Sequence, residues 1–231
     1  MNSIKENLHR VWERIEKAAQ KSGRKREDIT LVAVTKTVEV ERIREGIEAG
    51  IKEIGENRVQ EAREKIPLLP REGIKWHMVG HLQRNKAKYA VRLFDMIQSL
   101  DSLSLAEELE KRCQKENRTL EVLIEVNIGG EETKFGVAPQ EVISLIEKVK
   151  DFPHLKIKGL MCVPPWLEDP EKVRPYFIQM RELKEKVIEE KIPGVEMKYL
   201  SMGMTDDFEI AIEEGANMVR LGRAIFGERK K

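Results

Sequence analysis

Short apolar runs alternate with amphipathic stretches along most of the chain, and this alternation constrains the fold more than any other feature. Each apolar run has the length of a β-strand, and each following stretch repeats its apolar residues every three or four positions, as an amphipathic helix does. Such a repeat is typical of parallel βα units. The predicted strands cover residues 29–36, 52–56, 74–81, 96–100, 120–128, 155–163, 198–203 and 218–227.

Eight strand–helix units within 231 residues favour a closed (β/α)8 (TIM) barrel, an α/β fold that the whole chain, 1–231, forms as one domain. A doubly wound open sheet is the main alternative, because one miscounted strand would change the architecture. Gly50 and Gly215 follow helical stretches and are predicted to end them. Apolar residues spaced three or four apart predict an extra N-terminal helix before the first strand. These residues are Ile4, Leu8, Val11, Ile15 and Ala18.

The charge balance favours a small-molecule ligand over a polyanion. The 42 Lys+Arg and 41 Asp+Glu residues give a formal net charge of +1, so no overall field attracts nucleic acid or an acidic membrane. The N-terminus lacks the apolar segment of a signal peptide, and no apolar run approaches the ~18 residues of a membrane span. Two cysteines and four histidines show no disulfide or metal-ligand pattern. We therefore expect a soluble, cytoplasmic protein without a metal site.

Lys36 ends the first predicted strand. Reactive groups of parallel barrels lie at the carboxyl ends of the strands, where the loops converge. A lysine at the mouth of an apolar barrel loses part of its hydration, which disfavours the charged form and makes the amine available to attack an aldehyde. The alternative is an ordinary solvated lysine in the loop before a helix.

Two glycine-containing segments at the carboxyl ends of the seventh and eighth predicted strands, 201–204 and 220–224, predict a phosphate site. Their glycines let backbone N–H groups approach an anion, and Ser201 adds a hydroxyl donor. The loops after strands seven and eight form the common phosphate site of barrels, although glycines also occur in ordinary turns.

Arg220 lies within the apolar eighth strand, where an unpaired charge is costly. It should therefore face the inner site. Its partner is either a buried carboxylate such as Glu125 or, in a functional interpretation, a ring nitrogen or a phosphate group.

Asn57 follows the second predicted strand, His81 ends the third, and Lys86 comes shortly after His81. Basic residues here could hold a second anion, whereas a solvated helix face capped by His81 is the alternative. The turn after the fifth strand carries Lys134 and Phe135, which could close over a ligand.

Seven stretches resemble one known family over essentially the whole chain. They are 32–36 (VAVTK), 55–61 (GENRVQE), 76–86 (WHMVGHLQRNK), 126–136 (VNIGGEETKFG), 159–163 (GLMCV), 200–212 (LSMGMTDDFEIAI) and 219–227 (VRLGRAIFG). On these stretches the sequence is similar to the pyridoxal phosphate homeostasis proteins (the YggS/PROSC family). The resemblance implies a barrel like the N-terminal domain of alanine racemase, of PLP fold type III and without a C-terminal β-domain. It also implies binding of pyridoxal 5′-phosphate (PLP), for buffering or delivery of the cofactor.

The resemblance also implies roles for individual residues. Lys36 would hold PLP covalently as a Schiff base, and Arg220 would face the pyridine nitrogen and weaken the ring as an electron sink. Asn57 and His81 would line the other side of the ring. The phosphate would be held by Ser201 and by the backbone of Met202, Gly222 and Arg223.

The main functional alternative is a PLP-dependent racemase, which needs a second base on the opposite face of the substrate. In the racemases that base is a tyrosine from an additional β-domain, which is not expected here because the sequence ends at Lys231, directly after the eighth strand. Tyr89 and Tyr176 fall in predicted helices, and Tyr199 begins the seventh strand. We therefore expect a monomeric PLP carrier without a catalytic residue, with apo PLP-dependent enzymes as recipients. A third alternative is a sugar-phosphate enzyme that uses Lys36 as its Schiff-base lysine.

Overall fold

Eight parallel strands lie in chain order around a barrel. A computed structural model describes residues 3–228, so residues 1–2 and 229–231 of the predicted domain lie outside this part. The strands are β1 (Thr30–Val34), β2 (Glu53–Glu56), β3 (Lys75–Met78), β4 (Met96–Leu100), β5 (Leu120–Val126), β6 (Leu155–Cys162), β7 (Tyr199–Ser201) and β8 (Met218–Leu221). Each strand pairs with the next, and β1 also pairs with β8. The predicted closed barrel is confirmed, and the open-sheet alternative is excluded.

Helices surround the barrel. The α-helices within the described residues are α1 (Ile4–Lys21), α2 (Val40–Glu48), α3 (Val59–Lys65), α4 (Ala87–Leu93), α5 (Leu103–Lys115), α6 (Val142–Val149), α7 (Arg174–Glu189), α8 (Phe208–Glu213) and α9 (Arg223–Phe226). Short 3₁₀ turns lie at Arg26–Asp28, Ile66–Leu68, Arg84–Lys86, Pro139–Glu141 and Pro170–Val173. None of the helices between residues 3 and 228 combines the length and apolar character that a membrane crossing needs.

The predicted extra helix at the N-terminus is α1. Its first turn is closed by a capping box, in which Ser3 and Glu6 bond each other's backbone N–H groups. The five apolar residues that predicted the helix are all buried, and α1 packs against α8, α9 and α2. Arg14 adds two hydrogen bonds, of 2.9 and 2.7 Å, to the carboxylate of Glu209. Thus α1 covers the outside of the barrel where its last and first units meet.

The ends of the strands differ from the prediction. The predicted first strand continues to residue 36, but β1 ends at Val34 and Lys36 lies in a turn. The eighth strand was predicted to continue to residue 227, but β8 ends at Leu221 and α9 occupies most of the remaining segment. Apolar character alone does not reveal where a strand loses its hydrogen-bonding neighbour, which explains these errors. Gly50 and Gly215 have φ angles of 106° and 105°, as predicted for residues that end helices.

Alternate strand residues point into the barrel, where apolar and polar side chains share the interior. A small apolar cluster fills part of it, separately from the main core between barrel and helices. The members of this inner cluster are Val32, Val79, Met96, Leu123, Met161 and Met218. Five polar side chains, those of His77, Gln98, Glu125, Ser201 and Arg220, are buried in the same interior. Buried polar groups usually have hydrogen-bond partners inside the protein.

Candidate functional site

Two adjoining cavities contain most of the predicted site. The first has a volume of about 390 Å³ and the second about 780 Å³. Lys36 and Asn57 line both cavities, whereas His81 lines only the second. The predicted residues that line at least one of them are Lys36, Asn57, His81, Arg220, Gly222 and Arg223. Six residues selected because they lie at the carboxyl ends of predicted strands, or by the family resemblance, therefore lie around two adjoining cavities in the fold.

Ser201 and Met202 are fully buried and line neither cavity. The Ser201 hydroxyl donates to Oε1 of Gln98 at 2.7 Å and accepts from Nη1 of Arg220 at 2.7 Å. The backbone N–H of Met202 donates to the carbonyl oxygen of Met218 at 3.1 Å. Both donors that were expected to bind phosphate already have acceptors inside the protein, and their role toward phosphate stays a prediction.

The turn that carries Lys36 is bonded to α3 on both of its sides. Thr37 has a φ angle of 62°, a left-handed conformation that β-branched residues rarely adopt. Its backbone N–H donates to Oε2 of Glu61 at 2.9 Å. On the other side, the carbonyl oxygen of Thr35 accepts a 2.8 Å hydrogen bond from Nζ of Lys65. These contacts hold the strained backbone in place, and they thereby hold the backbone of Lys36.

Lys65 also joins two carboxylates beneath this turn. Its Nζ lies 3.0 Å from Oε1 of Glu56 and 2.8 Å from Oε2 of Glu61. The side chain of Glu56 is fully buried and accepts a further 2.6 Å hydrogen bond from the Thr35 hydroxyl. Burial raises the pKa of Glu56, while the Thr35 hydroxyl and the Lys65 charge oppose that rise. We call Glu56, Glu61 and Lys65 the α3 clamp. Sequence reasoning missed it, although the i, i+4 spacing of Glu61 and Lys65 is visible in the sequence.

Arg220 is a buried cation at the inner wall of the first cavity, with only 4% of its surface exposed. Its Nη1 and Nη2 atoms donate 2.7 Å hydrogen bonds to the hydroxyl of Ser201 and to the carbonyl oxygen of Cys162. Burial lowers the pKa of the guanidinium, while Asp207 and Glu125 favour its charged form. Within the described part of the chain, Glu125 acts on Arg220 through its charge and not through a hydrogen bond or a salt bridge. The guanidinium nitrogens point to the two oxygen acceptors instead.

Glu125 is buried nearby, with 7% of its surface exposed and no hydrogen-bond partner for Oε2. Burial, together with the negative charge of Asp101, raises the pKa of Glu125 to about 7, and the charge of Arg220 offsets only part of this rise. The carboxyl group of Glu125 therefore carries a proton below about pH 7. The only sequence signal for a carboxyl group with a raised pKa was the presence of a glutamate at an inward position of the apolar strand β5.

His81 and Phe135 lie face to face, with ring centroids 3.6 Å apart and an angle of 8° between the ring planes. Nδ1 of His81 lies 3.2 Å from Oδ2 of Asp101 without hydrogen-bond geometry. Phe135 thus contacts a residue that lines the second cavity, and closure of the turn after β5 over a ligand stays a prediction. Lys134 instead donates to the carbonyl oxygen of Pro164 at 2.9 Å.

Known proteins resemble this chain over almost its full length. The model of the family "Alanine racemase, N-terminal domain" matches residues 6–230. A protein named "Pyridoxal phosphate homeostasis protein" from Aquifex aeolicus is 49% identical over 225 residues, which are 97% of this chain and 98% of the relative.

Two solved structures share the architecture closely. A protein from Bifidobacterium adolescentis, described as unknown, superposes with a TM-score of 0.91 at 35% identity, over 96% of this chain and 94% of that chain. PipY from Synechococcus elongatus, solved with PLP bound, superposes with a TM-score of 0.83 at 30% identity, over 97% of this chain and 100% of PipY.

The α3 clamp yields a stability prediction. Lys65→Met leaves the buried Glu56 without its cation, and breaking such a pair should lower the free energy of unfolding by ~3–5 kcal/mol. Denaturant unfolding at neutral pH measures the change. Lys150→Met is the matched control, because Lys150 pairs with Glu147 at the surface and its loss should matter little. If the two substitutions lowered the free energy of unfolding by the same amount, the stabilising role of the α3 clamp would be contradicted.

Glu125 yields a pH prediction. Its pKa of about 7 in the folded protein exceeds the ordinary value of 4.5, so the folded state holds an extra proton between these values. The free energy of unfolding of the wild-type protein should therefore fall as the pH rises from 4.5 through 7. Glu125→Gln mimics the protonated form and should be more stable than the wild type at about pH 8, by roughly 3 kcal/mol, with no difference at about pH 4.

The measurement is denaturant unfolding of both proteins across this pH range. Glu121→Gln, on the same strand, is the control: it removes the partner of Lys75 and should lower the stability at about pH 8. A Glu125→Gln protein less stable than the wild type at about pH 8 would show that the carboxylate is stabilised where it lies.

Proposed function

This chain belongs to the pyridoxal phosphate homeostasis protein family, and on that premise we propose that it binds PLP in the first cavity, attached covalently to Lys36. The observation that carries the proposal is that Lys36, Arg220 and Gly222 line one cavity. PLP bound to the relative PipY supports it. The chain, 1–231, would act as one PLP-binding domain that buffers the cofactor or delivers it to apo PLP-dependent enzymes.

The groups around the first cavity fit the chemistry of PLP. When bound, PLP supplies an electrophilic aldehyde carbon and an electron-withdrawing pyridine ring. Lys36 brings the only type of side-chain group that condenses readily with an aldehyde, an amine. An added Cβ on Gly222 would lie 3.2 Å from the carbonyl oxygen of Val34, so this position favours glycine, whose bare backbone can approach a phosphate.

The phosphate end of the site is best supported at Gly222 and Arg223, which lie together at the start of α9. Backbone N–H groups at a helix start attract anions. Contacts from Ser201 and Met202 remain part of the proposal, but they would require exchange of the hydrogen bonds that these residues make to Gln98 and Met218. Asn57 and, from the second cavity, His81 would flank the ring.

Arg220 favours storage of the cofactor over catalysis. A guanidinium only donates hydrogen bonds, so Arg220 beside a pyridine nitrogen leaves that nitrogen without a proton and weakens the ring as an electron sink. The tyrosines support the same conclusion. Tyr89 lies in α4, Tyr176 in α7 and Tyr199 at the start of β7, and no tyrosine between residues 3 and 228 lines either cavity. The second base of a racemase therefore has no tyrosine candidate here.

Loss of the attachment point gives the direct test. Purified protein incubated with PLP should show a visible absorption band, and borohydride reduction should leave a pyridoxyl adduct on the peptide that contains Lys36. Lys36→Ala should lose both signals, whereas Lys17→Ala, on the exposed face of α1, should retain them. An adduct of unchanged yield in Lys36→Ala would disprove attachment at Lys36. A trapped sugar in place of the pyridoxyl group would favour a sugar-phosphate enzyme.

Exchange of α-protons separates carrier from racemase. The PLP-loaded protein in heavy water should exchange the α-protons of a panel of amino acids no faster than free PLP, because no tyrosine of residues 3–228 lines either cavity to act as the second base. Proton NMR of the amino acids measures the rate. Faster exchange with one amino acid, abolished by Lys36→Ala, would establish a PLP-dependent enzyme.

A further inference from the structure

A continuous series of hydrogen bonds crosses the barrel interior from its amino-terminal end to the first cavity. Nε2 of His77 bonds Oε2 of Glu53, and Nδ1 of His77 lies 3.0 Å from Nε2 of Gln98. Oε1 of Gln98 lies 2.7 Å from the Ser201 hydroxyl, which in turn lies 2.7 Å from Nη1 of Arg220. The five side chains come from β2, β3, β4, β7 and β8, and we call them the interior network.

The two ends of the interior network determine its direction. Arg220 has only donors, and the carboxylate of Glu53 has only acceptors. The three groups between them can donate and accept, so each must accept from the cavity side and donate toward Glu53. Consequently Ser201 donates to Gln98, Gln98 donates to Nδ1 of His77, and the imidazole proton lies on Nε2.

The sulfur of Met218 supports this orientation of the Gln98 amide. Nε2 of Gln98 lies 3.2 Å from Sδ of Met218, so both hydrogens of the amide nitrogen have acceptors. A reversed amide would put the carbonyl oxygen against the sulfur and turn an N–H group toward Ser201. The buried Ser201 hydroxyl, which already accepts from Arg220, would then lose the acceptor for its own proton. Such a loss is costly in a site without water.

The interior network connects a buried cation to a carboxylate at the solvent-exposed end of the barrel. The His77 side chain is fully buried, whereas 28% of the Glu53 side chain is exposed. Through Ser201, Gln98 and His77, the interior network links Arg220 to the carboxylate of Glu53. Asp207 and Glu125 act on Arg220 through their charges. Hydrogen bonds in series polarise one another, and each acceptor becomes stronger because it also donates.

We infer that Gln98, His77 and Glu53 are positioning residues that orient the Arg220 guanidinium toward the first cavity, an inference that rests on the proposed PLP site. None of the three lines that cavity. They act through Ser201, whose hydroxyl stays bonded to Gln98 and so presents a lone pair to Arg220. The position of Arg220, and with it the electronic state of a bound pyridine ring, thus depends on side chains on the far side of the barrel.

The protein without PLP tests the interior network itself. Long-range ¹H–¹⁵N NMR spectra of histidine-labelled protein report which imidazole nitrogen carries the proton, and His77→Gln identifies the signals. We expect His77 to have its proton on Nε2 and none on Nδ1. A proton on Nδ1 would reverse the direction of the network and overturn the inference, whether or not the protein binds PLP.

Variants with PLP test the effect at the cavity. Gln98→Leu removes both middle hydrogen bonds, and Glu53→Gln adds a donor that permits the opposite His77 tautomer. We expect each variant to weaken PLP binding about tenfold, equivalent to ~1.4 kcal/mol, and to shift the visible absorption band. The matched controls are Gln114→Leu on the exposed face of α5 and Glu116→Gln, whose carboxylate bonds Arg92 and is as exposed as that of Glu53. Both should bind PLP and absorb light like the wild type.

The outcomes distinguish this inference from the proposed function. Wild-type protein without a visible band would refute PLP binding, while the NMR result would still decide the direction of the network. A wild-type band that neither Gln98→Leu nor Glu53→Gln alters would keep PLP binding and overturn the positioning role. Glu53→Gln keeps the protein testable if Gln98→Leu does not fold, because its substitution lies at a partly exposed position.

Discussion

The pairing of β1 with β8 is the contact on which the site depends. Thr30 lies opposite Met218 and Ala33 opposite Leu221, so the first and last strands run side by side. The turn after β1 therefore meets the loop after β8, and Lys36 lines the same cavity as Gly222. Residues from the two ends of the sequence would not meet in an open sheet, where these strands could lie far apart.

A closed barrel of eight strands also encloses a small interior, and here that interior is only partly apolar. Val32, Leu123 and Met161 fill one part of it, while a buried arginine and its hydrogen-bond partners occupy another. A buried charge is tolerated only when its donors are satisfied. Two oxygen acceptors at 2.7 Å satisfy two of the N–H donors of Arg220, and they restrict the directions in which the guanidinium can bind anything else.

The elements that hold Lys36 and Arg220 differ in kind. Lys36 sits in a strained turn, and the charged side chains of α3 bond the backbone on both sides of it. Arg220 sits on a regular strand, and the hydroxyl of Ser201 and the backbone carbonyl oxygen of Cys162 hold its guanidinium. An amine that reacts with an aldehyde needs a backbone that is held at the cavity, whereas a donor that faces a ring nitrogen needs a guanidinium that is itself held in place. The contacts around Lys36 and Arg220 meet these two needs.

The sequence by itself determined the barrel, the extra helix and the reactive candidates at the strand ends. Periodicity reports which face of an element is buried, and parallel strands collect their carboxyl ends at one face, so Lys36, Arg220 and Gly222 could be predicted. Only the tertiary structure decided where the strands end, which carboxylate lies beside Lys65, and that Ser201 points inward to Gln98. Those pairings join segments distant in the sequence. They depend on barrel register and on the distances between side chains, which a local pattern does not contain.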